Sequence, residues 1–591
     1  MPTAAPVPRR TRIFTIIAVL GFLVLIAFGP FGEASSREIL FSIALLFSVV
    51  LLVAFATRRP AFALGLPSVV FGGVLVASAL KFHYLTSPLL APDLFYFVNR
   101  DLLDVATRYV PIMAALIIGG LAIPTLIFLA WRLDRPLLFA AQPPLRRRAI
   151  QIAGAITMIA LILIIDSPAG PFAAVFEKGM WQAMNDKSYI ANFFTSFYQT
   201  QIHVPDAVAD ADTSIAWTQP ANDNPPVCLD KDCSAGAPPK IAQDHPDIVS
   251  VLEESTFDPT MLKACTLPLC KHKMFEPDGR TRANGWLTVH TWGGGTWTSE
   301  FALMSGLDHE SFGDAGLYAP YNLAPRVTYS LPRALHENGY RVIAIYPMSG
   351  DFINARNAYK FYGFDAFYDG QDYGLSWESS DNDLMQVFDR IYDEEKKHIG
   401  KQPLFVMLLT LRQHGPHMTP LKKLPPPYNA ALFAGKFPPK DRDEWLNLNL
   451  GNYLQRLVGS DAAITHLEKK LLDGDRPALL FHFGDHQPSF DGAIREIPKQ
   501  VPSWIADSNF ATYYMLKTNY RPTRSYAYPQ LDLSFAASLI LDVAAAKKDT
   551  FFQANALLRE RCHGVYRTCQ NKKVLDSYHN YIFQTLGAVH E

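Results

Sequence analysis

"PALLFHFGDH", residues 477–486, is a run of apolar residues that stops abruptly on a carboxylate and an imidazole. A short, continuous apolar run of this kind reads as a strand buried on both faces, and in such sheets ligands gather at the carboxyl ends of the strands. The theme recurs along the chain. "DIVSVLEES" (247–255) ends in Glu253, Glu254 and Ser255, and "PLFVMLLTL" (403–411) runs into Arg412, Gln413, His414, Gly415, Pro416 and His417. "SLPRALHENGY" (330–340) reads as a helix, followed by a strand at "RVIAIYP" (341–347); "TYYMLK" (512–517) supplies one more. Apolar strands alternating with helices predict an α/β domain with a largely buried sheet.

A fourth place offers a hydroxyl. In "HTWGGGTWTSEFALMSGL" (290–307), Gly293, Gly294 and Gly295 deliver Thr296 to the start of an apolar helix. Glycines let a backbone approach closely, and a helix N-terminus presents N–H groups to an anion. Thr296 is therefore either a helix cap or a reactive group. A lone histidine or aspartate at a strand end is usually a loop anchor. Carboxylates, imidazoles and a hydroxyl on adjacent strand ends are together the chemistry of a hydrolytic metal site.

The chain has 591 residues and a formal net charge of −1, which gives no global electrostatic support for a nucleic-acid partner. Its first 166 residues are strongly apolar, with five segments long enough to cross a bilayer, at about 13–30, 38–57, 61–80, 110–131 and 149–166. Arg9, Arg10 and Arg12, then Arg58 and Arg59, then Arg132, Arg135, Arg146, Arg147 and Arg148 fall on one side if the spans alternate. That side is the cytoplasm, and everything after residue 166 lies outside it. The loop at 81–109 either shapes a lipid entrance or merely connects two spans.

All six cysteines lie beyond the last span, in three close pairs: Cys228 and Cys233, Cys265 and Cys270, Cys562 and Cys569. Local disulfides fit an oxidising compartment, with zinc clusters as the competing reading. The expected organisation is a transmembrane domain (1–166), an interfacial helix over 172–200 with a Pro- and Asp-rich linker (together 167–245), a catalytic domain (246–545) and a C-terminal extension (546–591).

"LEES", "GGGTWTSEF", "RQHGPH" and "FGDHQ" occur in the order and spacing of the sulfatase-like branch of the alkaline phosphatase superfamily. Five spans followed by such a domain resemble the membrane-bound lipoteichoic acid synthases and their Gram-negative relatives, which transfer phosphoglycerol or phosphoethanolamine. The resemblance implies that Glu254, Asp485 and His486 ligate one divalent metal and that Thr296 is both nucleophile and ligand. It places His414 beside the transferred group, with His417 a weaker candidate. Glu254 is preferred over Glu253 because it directly precedes a small hydroxyl residue. Mn2+ is the metal the resemblance implies, while the ligand types also admit Mg2+ or Zn2+.

The branch is narrowed by what surrounds Thr296. A sulfatase would carry a Cys or Ser within a C/S-x-P-x-R motif, where this chain has Thr296-Trp297-Thr298-Ser299-Glu300. Phosphoethanolamine transferases usually carry cysteines flanking the nucleophile, where Trp292 and Met304 stand. "GDFINARNAYKFYGFDAFYDG" (350–370) resembles the synthase segment that supplies an arginine and a tryptophan to the glycerol-phosphate pocket. Arg356 matches the arginine, and Asn354 stands where the tryptophan would be. The competing reading of Arg356 is one half of a surface ion pair.

The expectation is an inner-membrane enzyme with a periplasmic catalytic domain. It would transfer phosphoglycerol from phosphatidylglycerol through a phosphothreonine to an extracytoplasmic glycan or lipid, releasing diacylglycerol. A phosphoethanolamine transferase is the alternative. A catalytically dead, membrane-anchored binding or sensory protein is a further one, disfavoured because the set of four polar residues is complete.

Overall fold

Hydropathy divides the chain, and so does its packing. The computed structural model describes residues 9–85, 88–96, 107, 110–177, 188–198, 201–218, 245–436, 443–490, 493–522 and 524–590. These form two compact units, Met1–Gln201 and Ile202–Glu591.

The first unit is helical: α1 (Arg9–Phe28), α2 (Ser36–Thr57), α3 (Pro60–Leu85), α4 (Val110–Leu133) and α5 (Pro144–Ile165). Among the described residues, four helices are long and apolar enough to cross a membrane, and α4 adds a shorter apolar stretch, Ile117–Leu133. Apolar side chains such as Ile16, Leu23, Ile156 and Leu163 remain exposed on the helix surfaces. In water that would be costly; against acyl chains it is the required surface. Arg58, in the left-handed conformation that ends α2, donates to the carbonyls of Leu138 and Pro136 at 3.0 and 2.9 Å, and Arg59 donates to Trp131 at 2.7 Å. The α2–α3 turn and the α4–α5 loop thus meet at one end of the unit, as alternating spans require.

Where the sequence predicts one amphipathic helix over 172–200, the described residues form two short ones, Ala173–Phe176 and Tyr189–Thr195, with 178–187 outside the described residues. Val175, Ile190 and Ala191 are buried with Leu25, Phe41 and Phe71 of the bundle. Glu33 anchors the second helix by accepting from the backbone of Ile190 and Ala191 at 3.0 and 3.3 Å. Within the 81–109 loop, Lys81 pairs with Asp93 at 2.6 Å, and residues 86–87, 97–106 and 108–109 lie outside the described residues.

The second unit is built on an eight-stranded mixed sheet. In chain order its strands are β1 (Asp247–Glu253), β2 (Thr281–Thr288), β3 (Arg341–Tyr346), β4 (Ala366–Asp369), β5 (Leu404–Leu409), β6 (Ala478–Gly484), β7 (Ala511–Thr518) and β8 (Gln530–Asp532), arranged as β4-β3-β5-β1-β6-β7-β2-β8. The strands from β4 to β6 are parallel, and β7 is antiparallel to both β6 and β2. β1, β5 and β6 are buried along their whole length, which is why their sequences are apolar without alternation.

The core continues past residue 545. Phe551, Phe552, Leu558, Tyr578, Ile582 and Val589 are buried in the same cluster as Leu252, Phe405 and Phe483. The start of the expected linker also packs here, with Trp217 buried and donating to Ser577 at 3.1 Å. Residues 219–244, including Cys228 and Cys233, lie outside the described residues. Cys265–Cys270 and Cys562–Cys569 are disulfides.

Candidate active site

β1 and β6 are parallel neighbours, with Glu253 level with Gly484. The residues that follow, Glu254 and Asp485, therefore leave the sheet side by side. Glycine at 484 is required for this, because a Cβ there would lie 1.7 Å from the Thr256 carbonyl oxygen. β5 flanks β1 on its other side and delivers Thr410, whose hydroxyl accepts from the Glu254 backbone N–H at 3.1 Å.

Thr296 comes from the third side, as the first residue of α6 (Thr296–Ser305). It does not cap that helix. The N-cap is Gly295, left-handed at φ 87°, and a Cβ at that position would lie 2.8 Å from the Thr291 hydroxyl. Ser299 seats the first turn of α6 on the sheet by donating to the Asp485 carbonyl at 2.8 Å. The Thr296 hydroxyl is left to donate to Glu254 Oε2 at 2.7 Å, 3.3 Å from His486 Nε2.

His486 Nε2 lies 3.2 Å from Asp485 Oδ2 and 3.6 Å from Glu254 Oε1. Its Nδ1 is 2.9 Å from the Gln487 carbonyl, an acceptor only, so Nδ1 carries the proton and the Nε2 lone pair faces Thr296. Burial lowers the basicity of His486, with the Glu254 charge opposing it. Glu254 is also desolvated, yet His486, His414 and the hydroxyls of Thr296 and Ser255 hold it below the ordinary carboxylate value. Burial, reinforced by the Glu254 charge, pushes Asp485 well above its ordinary value. Two like charges in one dry site cannot both ionise cheaply.

Glu254, Asp485 and His486 can each offer a ligand atom within 4.8 Å of the others, and all three are buried. Asp485 Oδ1 accepts from the backbones of Ser255 and His486, both at 2.7 Å, whereas Oδ2 is buried without a hydrogen-bond partner. An orphaned carboxylate oxygen aimed at a second carboxylate, an imidazole lone pair and a hydroxyl suits a divalent cation. Glu253 does not share this cluster. It is fully buried, accepts from Thr410 at 3.3 Å, and is kept well above its ordinary value by burial and then by the Asp381 charge.

The other expected residues lie around this centre in different ways. His414 is near enough to help hold Glu254 ionised, and its ring centre is 4.9 Å from that of Trp377. His417 is buried in an aromatic packing with Tyr453 and Phe490. Arg356 pairs with Asp369 at 2.6 Å, with its side chain 46% exposed. Asn354, left-handed at φ 59°, donates to the Pro320 carbonyl at 3.0 Å. The sequence reading passes over Trp377, and over Glu300, which burial and the Glu254 charge push up to about 8. Glu300 stands in the quoted "SEF", so the signal was present; for Trp377 no local signal exists.

Residues 246–530 match the family model described as Sulfatase. An uncharacterized protein of Haemophilus influenzae is 29% identical over 59% of this chain and 62% of its own length. A Rhizobium meliloti protein provisionally named for cyclic beta-1,2-glucan modification is 27% identical over 41% of this chain and 36% of its own. The chain thus matches less than two thirds of each of these relatives. Two solved structures align more distantly. The phosphoglycerol transferase GacH of Streptococcus pyogenes, in complex with sn-glycerol-1-phosphate, is 16% identical at a TM-score of 0.43, covering 57% of this chain and 85% of that one. The lipooligosaccharide phosphoethanolamine transferase A of Neisseria meningitidis, an integral membrane protein, is 13% identical at a TM-score of 0.44, covering 88% and 99%.

Proposed function

We propose that the protein is a membrane-bound, divalent-metal-dependent transferase that moves phosphoglycerol from phosphatidylglycerol to an extracytoplasmic glycan or lipid. The observation that carries this reading is the Thr296 hydroxyl, which donates to Glu254 at 2.7 Å inside a buried Glu–Asp–His set instead of capping its own helix. Glu254, Asp485 and His486 would hold the metal, with Thr296 completing the set. A divalent cation bound there lowers the basicity of the Thr296 oxygen and withdraws charge from a phosphoryl oxygen.

The chain's own groups supply the rest. Glu254 orients the hydroxyl and takes its proton as the oxygen attacks the lipid phosphorus. The P–O bond to diacylglycerol breaks, and His414 is the candidate to protonate the departing alkoxide. The product is a phosphothreonine diester carrying glycerol. An acceptor hydroxyl then attacks the phosphorus and gives its proton to the now neutral His414, the P–O bond to Thr296 breaks, and the threonine oxygen takes back the proton held on Glu254. The name of the Rhizobium relative supports a glucan acceptor. Apolar spans in the same chain keep such a domain at the membrane that holds its donor.

Incubation with phosphatidylglycerol followed by an acid quench is expected to leave a glycerol-phosphate mass on the peptide containing Thr296. An ethanolamine-phosphate adduct after exposure to mixed lipids would reassign the head group, and no adduct from either lipid would overturn the reading. The topology that goes with it is tested separately. A reporter active only outside the cytoplasm should work when fused after residue 200 and stay silent after Arg59 or Arg147; the reverse pattern would remove the extracytoplasmic site.

A further inference from the structure

A second buried cluster has the composition of a metal site. His290, Asp308 and His309 can offer ligand atoms within 4.8 Å of one another, and all are buried. Its bonding says otherwise. Both oxygens of Asp308 are gripped by the forked guanidinium of Arg567, Nε to Oδ2 at 2.6 Å and Nη2 to Oδ1 at 2.8 Å. His290 Nε2 is committed to Asp532 Oδ1 at 2.9 Å, while its Nδ1 lies 3.3 Å from Asp308 Oδ1. Arg567 also reaches Glu310 at 2.8 Å. A dication here would have to share the Asp308 carboxylate with a guanidinium that already satisfies it bidentately.

The position of these residues in the chain gives the cluster a different use. The backbone leaves β2, passes His290, makes the glycine turn, presents Thr296, runs through α6 and returns at Asp308. His290 and Asp308 are thus the two ends of the segment that carries Thr296, and they meet. Arg567 belongs to the eight residues from Cys562 to Cys569, which a disulfide closes into a loop. The same loop takes hold of the second partner of His290, since the Gly564 carbonyl accepts from the Asp532 backbone N–H at 2.7 Å. Gly564 is left-handed at φ 83°, and a Cβ there would lie 2.3 Å from the Gln530 carbonyl oxygen, so the loop is pressed against β8.

We propose that the disulfide-closed loop Cys562–Cys569 is a positioning element for Thr296, with Arg567 as its working contact. Arg567 fixes Asp308, Asp308 and Asp532 fix His290, and the two fixed ends hold the glycine turn in the one conformation that aims Thr296 at Glu254. Arg567 does not touch the substrate. Rate is sensitive to such alignment, because a displacement of about 1 Å at a reacting atom costs about a hundredfold. The proposal rests on Thr296 being the nucleophile, so its test includes a readout that does not depend on turnover.

Full-length Arg567→Ala and Arg567→Lys in detergent should be compared with wild type by amide hydrogen exchange, metal content and diacylglycerol release from phosphatidylglycerol vesicles. In Arg567→Ala, peptides spanning 290–300 should exchange faster, while those of β1, β5 and β6 keep wild-type protection. The kcat should fall by about a hundredfold with KM little changed and metal content unaltered. Arg567→Lys, which can offer a charge but not the fork, should recover part of the rate. Wild-type exchange and kcat in Arg567→Ala would overturn the proposal, as would deprotection spread through the whole sheet. Loss of one bound ion on substitution would make the cluster a metal site instead. If Arg567→Ala fails to fold, Arg567→Lys decides: a lowered kcat at wild-type melting supports the brace, and an unchanged kcat overturns it. Should wild type release no diacylglycerol, the functional reading fails by itself, and exchange at 290–300 alone judges the brace.

Discussion

Thr296→Ala is expected to abolish turnover while leaving the fold intact. Removing a covalent nucleophile that no neighbour can replace costs at least about 10³-fold in kcat. The structural cost is small. Thr296 is the first residue of α6 and not its cap, so no capping energy is at stake, and alanine is a strong helix former at that position. What is lost is one hydrogen bond to a buried carboxylate, worth about 1.5–3 kcal/mol at most. Melting temperature should therefore stay close to wild type while diacylglycerol release falls to background.

Thr296→Ser separates the hydroxyl from its surroundings. It keeps the oxygen but loses the methyl group that limits χ1, so a reduced but measurable rate is expected. Appreciable turnover by Thr296→Ala would mean that water or another side chain attacks the phosphorus. The glycine turn would then serve only to bring α6 onto the strand ends.

How much of this could be read from the sequence depends on how local each signal is. β1, β5 and β6 announce themselves because both of their faces are buried, and the polar residues after them stand out by contrast. The proximity of Glu254, Asp485 and His486 follows from the parallel pairing of β1 with β6, a register that two apolar runs of similar length already suggest. β2 gives no strand signal because "TRANGWLT" is only partly buried and has no clean alternation; its place is set by pairing with β7. β4 and β8 are too short to give a pattern at all, at four and three residues. Residues 546–591 are expected as a C-terminal extension, and their burial with Leu252, Phe405 and Phe483 in one core has no local sequence pattern to announce it.

Contacts that span long sequence distances were the least legible. Arg567 reaches Asp308 across a separation of 259 residues, and nothing in "HGVYRTC" points back to the glycine turn. Trp377 beside His414 is a similar case. The local resemblance around 350–370 directs attention to Asn354, whereas Trp377 lies further along the chain, its ring centre 5.6 Å from that of Phe352 and 4.9 Å from that of His414. The 172–200 segment failed in the opposite sense. Its apolar periodicity is real, but the described residues satisfy it by burial against the helical bundle and not as one continuous surface helix.

Asp485→Asn is expected to remove the metal and, without metal, to make the fold more stable than wild type. In wild type, Asp485 and Glu254 share a dry site, and burial and the Glu254 charge together hold Asp485 above its ordinary carboxylate value. Asparagine is nearly isosteric and takes that charge away, which relieves the repulsion. It also removes an anionic ligand atom, the orphaned Oδ2, and a site left with one carboxylate should bind a divalent ion far more weakly. The two effects oppose each other, so melting should be followed with and without metal. Saturating a site that binds only the folded state at a hundredfold excess over Kd adds about 2.7 kcal/mol. Wild type should therefore gain stability on addition of Mn2+ and lose it to a chelator, whereas Asp485→Asn should respond to neither and should show no transferase activity. A variant that still gained stability with Mn2+ would place the ion elsewhere. A chelator-treated variant melting well below chelator-treated wild type would mean that the aspartate holds the strand ends together through its own hydrogen bonds, with no like-charge strain for the metal to relieve.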